Sequence, residues 1–139
     1  MESALVLVLA GRNAQLKGAI DSLRHPRIHA IAFTDQVPAY MRAADVVLTK
    51  PGGLSSTEAA VRNVPLVLTD PIPGCETKNA AFFESHGMAR LARSENAAAC
   101  AISLAKDAVA IEAMLAAQRK TIHAHAARDS VDYILAHGE

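Results

Sequence analysis

The chain contains no tryptophan, and all its aromatic residues together make up only 4% of 139 residues. So few rings leave little for stacking nucleobases or gripping a flat apolar ligand, and recognition must rest on backbone and polar groups. The two cysteines, Cys75 and Cys100, form no CxxC pair. That excludes the disulfide framework of a small secreted domain and a cysteine-based zinc site, and a reducing cytoplasmic setting fits. Charge of one sign is missing as well, because 14 Lys and Arg balance 14 Asp and Glu. No basic field is present to draw the chain to nucleic acid or to anionic lipid. The longest N-terminal apolar run, residues 4–10, has no basic flank before it and falls far short of the roughly 20 residues that span a bilayer. It reads as a buried strand.

What the chain does have is enough apolar residue, 51%, for one core, in a length too short for two ordinary domains. A single domain over residues 1–139 is expected. Short apolar runs recur, each bounded by Gly, Pro, Asp or Asn and followed by a stretch with apolar residues three or four apart, the pattern of βα units. Strands are expected at 5–10, 28–33, 45–49, 65–69 and 88–91, and helices at 14–23, 37–43, 56–63 and 77–86. After Arg93 the sequence turns Ala-rich, and two or three helices over 95–136 should form a helical cover. The fold class is therefore α/β: a Rossmann-like parallel sheet of about five strands, helices on both faces, and an Ala-rich C-terminal helical segment.

In an open parallel sheet ligands bind beyond the carboxyl ends of the strands, so chemistry should lie in the loops that follow them. The loop after the third strand reads Lys50-Pro51-Gly52-Gly53-Leu54-Ser55-Ser56-Thr57-Glu58. Two glycines before a helix put free backbone N–H groups and a helix dipole at one point, which favours phosphate. Lacking Cβ, Gly52 and Gly53 allow close approach of a pyrophosphate and permit positive φ. Ser55 and Glu58 stand in an S-x-x-E relation, so Glu58 is either half of a capping box or a carboxylate placed for ribose hydroxyls. The loop after the fourth strand, Asp70-Pro71-Ile72-Pro73-Gly74-Cys75-Glu76, is stiffened by two prolines. Glu76, Thr77 and Asn79 then open a helix, as an ordinary first turn or as groups for sugar hydroxyls.

Taken in order, Gly11-Arg12-Asn13, Phe33-Thr34-Asp35 with Val37-Pro38, the run from Asp45 through Ala59, and Pro71-Ile72-Pro73-Gly74-Cys75-Glu76 with Asn79 resemble one known family. It is the C-terminal domain of GT-B glycosyltransferases, specifically the diacylglycerol glycosyltransferases. These include monogalactosyldiacylglycerol synthase and the processive diacylglycerol glucosyltransferase; the peptidoglycan GlcNAc transferase is a more distant relative. The resemblance covers residues 5 to about 92 well and the C-terminal helices loosely. It implies a UDP-sugar donor and no metal cofactor. Gly52, Gly53, Leu54 and Ser55 are then the diphosphate cradle and Glu58 the ribose ligand. The backbone at Phe33 and Thr34 reads uracil, Cys75, Glu76 and Asn79 face the transferred sugar, and Arg12 lies near the nucleotide.

Two departures from the family stand out. Cys75 replaces a usual glutamine, and a thiol is a poor partner for a hexose hydroxyl, so the resemblance does not fix the donor sugar. The family's N-terminal acceptor domain, and the first strand and Gly-rich turn of its C-terminal domain, have no counterpart here. The resemblance implies an inverting transfer of a hexose to a lipid such as diacylglycerol, with the general base on that missing partner and any peripheral membrane attachment made through it. No catalytic residue is then expected in this chain. The six histidines fall outside the ligand loops and are assigned to the surface, and Cys100 to a small core position. Two other readings remain open: a separate donor-binding subunit of a two-chain GlcNAc transferase, and a non-catalytic Rossmann-type nucleotide-binding module.

Overall fold

The structure, a computed structural model, describes residues 4–138. Strands and helices alternate as β1 (Val6–Gly11), α1 (Ala14–Ser22), β2 (Ile28–Ala32), α2 (Val37–Ala43), β3 (Val47–Thr49), α3 (Gly53–Val61), β4 (Leu66–Leu68), α4 (Cys75–Ser85) and β5 (Arg90–Leu91). Three helices close the chain, α5 (Ala97–Ala105), α6 (Ala108–Thr121) and α7 (Ala126–His137). Each expected strand is present, and every pairing is parallel. The strands are divided between two sheets, β1-β2 and β3-β4-β5, where the sequence pattern pointed to one. The described residues correspondingly form two compact units, divided between Tyr40 and Met41 inside α2.

In the first unit, Asn13 accepts a hydrogen bond from the Leu16 N–H at 2.9 Å and so caps α1. Gly11, at φ +58°, makes the turn between β1 and that helix. The expectation of a buried first strand is not met. Within β1 only Ala10 is buried, and Val6, Leu7 and Leu9 are exposed, as is Leu5 just before it. A strand apolar on both faces needs cover on both, whereas α1 buries none of its own residues.

The second unit holds the main core. Leu66, Val67 and Leu68 of β4 are each fully buried, between β3 and β5 in the sheet and against α3 and α5. A continuous apolar triplet is what a strand covered on both faces requires, and burying each such side chain contributes about 1.5–3 kcal/mol. From α6, Gln118 reaches into this core with no exposed surface. Its Nε2 donates to the carbonyls of Val64 and Met88, both at 3.0 Å, and its Oε1 accepts from Asn63 at 3.2 Å. One side chain thus ties α6 to the segments that enter β4 and β5.

The C-terminal third is helical as expected, but it does not act as cover throughout. While α5 and α6 contribute Ala97, Leu104 and Met114 to the core, α7 buries no residue. Cys100, expected in the core, is half-buried. No described helix is long and apolar enough to cross a membrane.

Candidate donor-binding site

The glycine turn after β3 is built differently from the expected capping box. α3 begins at Gly53, three residues before the expected start, with Gly52 as its N-cap and no side-chain cap. Ser55 therefore lies inside the first turn and cannot cap. Glu58 is exposed, and among the described residues its carboxylate forms neither a hydrogen bond nor an ion pair. The reason is local: the chain is already helical at Gly53, so the first intrahelical bond runs from the Ser56 N–H to the Gly52 carbonyl at 3.2 Å. The N–H groups of Gly53, Leu54 and Ser55 precede that bond and lack an intrahelical acceptor. All three residues are exposed. Ser56, fully buried, turns its hydroxyl back to the Gly52 carbonyl.

Neither glycine of the turn has positive φ, which occurs among glycines at Gly11, Gly74 and Gly87. A Cβ at Gly52 would stand 4.0 Å from Glu76 Oε1, and one at Gly53 would stand 3.6 Å from Asn79 Nδ2. Both are ordinary contacts. What the glycines provide is bare backbone on the outer side of the turn, and the protein's own packing would tolerate a methyl group at either position.

The same two neighbours define the other wall of the site. α4 also starts earlier than expected, at Cys75, because Gly74 takes up φ +114° and ψ −126° as its N-cap, a conformation open to glycine alone. This turn exposes Cys75 and brings Glu76 inward, to 8% exposure. Glu76 Oε1 accepts from Lys50 Nζ at 2.7 Å and Oε2 from the Ile72 N–H at 2.9 Å. The Lys50 ammonium, followed by the Ile72 N–H, holds the Glu76 carboxyl below its ordinary value. Asn79 Nδ2 donates to the Pro51 carbonyl at 3.2 Å. Two loops 20 residues apart in sequence are thereby tied together at the glycine turn. Further along, Asp70 accepts from both the backbone N–H and the hydroxyl of Ser94 at 2.8 Å, which fixes the start of the loop after β4 and lowers the Asp70 pKa.

Of the residues singled out in the sequence, Gly52, Gly53, Leu54, Ser55, Glu76 and Asn79 are brought together, with Glu58 on the same helix and Cys75 exposed on the next. Lys50 was in the motif without a role. Its ion pair could not be read from spacing, because its partner lies 26 residues away. In the first unit, Arg12 and Phe33 come from the loops after β1 and β2. The Arg12 guanidinium carbon sits 4.8 Å from the centroid of the exposed Phe33 ring, a cation–π contact. Thr34 Oγ1 accepts from the Gln36 N–H at 3.0 Å and shapes the turn that follows. All six histidines are exposed.

Parallel βα units with a bare glycine turn at a helix N-terminus are an arrangement that α/β domains use for phosphate groups. Residues 2–132 match the glycosyltransferase family 28 C-terminal domain. The chain belongs to that family. It is 36% identical over 113 residues to the processive diacylglycerol beta-glucosyltransferase of Bacillus pumilus (strain SAFR-032), covering 78% of this chain and 30% of the relative. The protein of that name from Bacillus cereus (strain G9842) is 33% identical over 135 residues, covering 94% of this chain and 35% of the relative. The chain thus spans about a third of the length of these relatives. Its fold matches the solved glycotransferase of kitacinnamycin with a TM-score of 0.70 at 22% identity, over 93% of this chain and 34% of that one. The α/β fold of the GT-B C-terminal domain, inferred from the ordered loops, is the fold observed.

Proposed function

We propose that residues 1–139 serve as one nucleotide-sugar-binding domain, the donor-holding part of an inverting hexosyltransferase that passes a hexose from UDP to a lipid such as diacylglycerol. The observation that carries this reading is the pair of ties, Lys50 to Glu76 and Asn79 to the Pro51 carbonyl, that sets two polar side chains beside the uncapped amides of Gly53, Leu54 and Ser55. An uncapped helix N-terminus stabilises a diphosphate through its N–H groups and dipole. Glu58 lies five residues into α3, about 7.5 Å along its axis from Gly53, a reach suited to the ribose diol. Glu76 and Asn79, with Cys75 next to them, take the hexose end. In the first unit the backbone at Phe33 and Thr34 serves the uracil edge and Arg12 the nucleotide. The family membership and the names of the relatives support a UDP-sugar donor and a glycolipid product.

In this reading the chain supplies binding and orientation, not proton transfer. A general base must come within hydrogen-bond reach of the acceptor hydroxyl, and that role falls to the acceptor side rather than to the donor loops. The base and the lipid contact, at the cytoplasmic face of a membrane, belong to an acceptor-binding partner domain or subunit, and the transfer needs no metal. Isothermal calorimetry with UDP and with UDP-hexoses tests the reading directly. Binding at sub-millimolar to millimolar concentration is expected, and an absence of heat for every ligand in that range overturns it.

A further inference from the structure

We infer that Lys50 is a positioning residue for the donor sugar: across 26 residues of sequence it holds the Glu76 carboxylate beside the glycine turn, and so decides how well a hexose is distinguished from bare UDP. The inference rests on the donor-site reading above, and it assigns a role that the glycine motif does not.

The geometry is asymmetric in an informative way. The Lys50 side chain is 58% exposed while that of Glu76 is 11% exposed. An ion pair between two free surface chains contributes little, because both lose entropy and water screens them. Here one partner is already fixed: Glu76 sits in the first turn of α4 and Oε2 is held by the Ile72 N–H. Lys50 therefore has only its own chain to order, and the 2.7 Å bond to Oε1 sets the remaining rotation of the carboxylate. A carboxylate offers about four acceptor positions. Two are taken by these donors, and the others are left for hydroxyl groups that reach the 11% of the side chain still exposed. Oε1 also lies 4.0 Å from where a Gly52 Cβ would be, so the oriented carboxylate borders the turn proposed to hold the diphosphate. A hexose attached to that diphosphate meets Glu76 ionised and already aimed. Without the ammonium, the carboxylate keeps one anchor and is free to rotate about it.

The test compares UDP with UDP-hexose binding in the full chain and in K50M, K50Q and K50R. With a charged hydrogen bond lost in the first two variants, UDP-hexose affinity is expected to fall about tenfold, while UDP changes by less than about twofold. K50R, which can still donate to Oε1, should restore most of the difference. The Glu76 carboxyl resonance, followed by NMR across an acid titration without ligand, should shift its midpoint upward in K50M. Parallel loss of UDP and UDP-hexose would make Lys50 a diphosphate ligand or a fold support, and overturn the inference. Unchanged affinity for both would overturn it too. If the unaltered chain binds neither ligand, the donor-site reading itself fails; the NMR midpoint then still reports whether the ion pair forms.

Discussion

Gly53 opens α3 in a conformation available to any residue, and an added Cβ would meet Asn79 at an ordinary 3.6 Å. Replacing it by alanine should therefore fold normally, with a stability gain of about 0.4–1 kcal/mol from the less flexible unfolded chain. The same methyl group would stand among the N–H groups proposed to hold the diphosphate. UDP affinity should drop at least tenfold while the melting temperature holds or rises; unchanged affinity would remove the phosphate from this turn. The two acids can be separated in the same way. Glu58, exposed and without a side-chain partner among the described residues, is expected to act on the ribose, so Glu58→Gln should weaken UDP and UDP-hexose alike. Glu76, paired across the loops, should affect the hexose alone, and Glu76→Gln should leave UDP binding within about twofold. Calorimetry showing equal losses for both ligands at both positions would contradict these roles.

Among elements, α6 matters most for what it does through Gln118. Its amide satisfies the carbonyls of Val64 and Met88 in a region without water access. Leucine at this position would fill a similar volume but leave both acceptors unpaired, each at a cost of about 1–3 kcal/mol. Gln118→Leu is therefore expected to destabilise the fold by about 2–6 kcal/mol in urea or thermal unfolding. A change under about 0.5 kcal/mol would mean those carbonyls find other partners. Gln118 was not visible in the sequence, since an amide in an Ala-rich helix reads as a solvent-facing residue. The helix starts at Gly53 and Cys75 were misjudged for a related reason. Glycine N-caps at positions 52 and 74 carry no side-chain signal, whereas Ser55 offered a false one in S-x-x-E.

For the whole molecule, acid should be the weak side. Asp70, Glu76 and Asp107 each have a lowered pKa: the causes are led by the Ser94 backbone hydrogen bond for Asp70, the Lys50 side chain for Glu76 and the Ala110 backbone N–H for Asp107. A carboxyl with a lower pKa when folded contributes stability above its unfolded value, and that contribution fades as pH falls through the folded value. Unfolding free energy is thus expected to vary little with these groups between about pH 6 and 8 and to decline below about pH 4. Chemical denaturation at a series of pH values checks this. Asp70→Asn should flatten part of the acid decline, and a decline equally steep in that variant would assign it to other groups.

The order and type of the elements followed from sequence alone. Short apolar runs bounded by turn residues favour strands, and the stretches between them, with apolar residues three or four apart, favour helices. The family and the composition of the loops after the strands were legible for the same local reason, because glycines, prolines and acids stand at fixed offsets along the chain. Tertiary structure decided which groups meet. It divided the strands between two sheets and left β1 exposed. It freed Glu58 from its expected cap, and it joined Lys50 to Glu76 and Asn79 to the Pro51 carbonyl. Such pairings depend on how loops 20 or more residues apart are brought together by a packed core, and no local pattern encodes that approach.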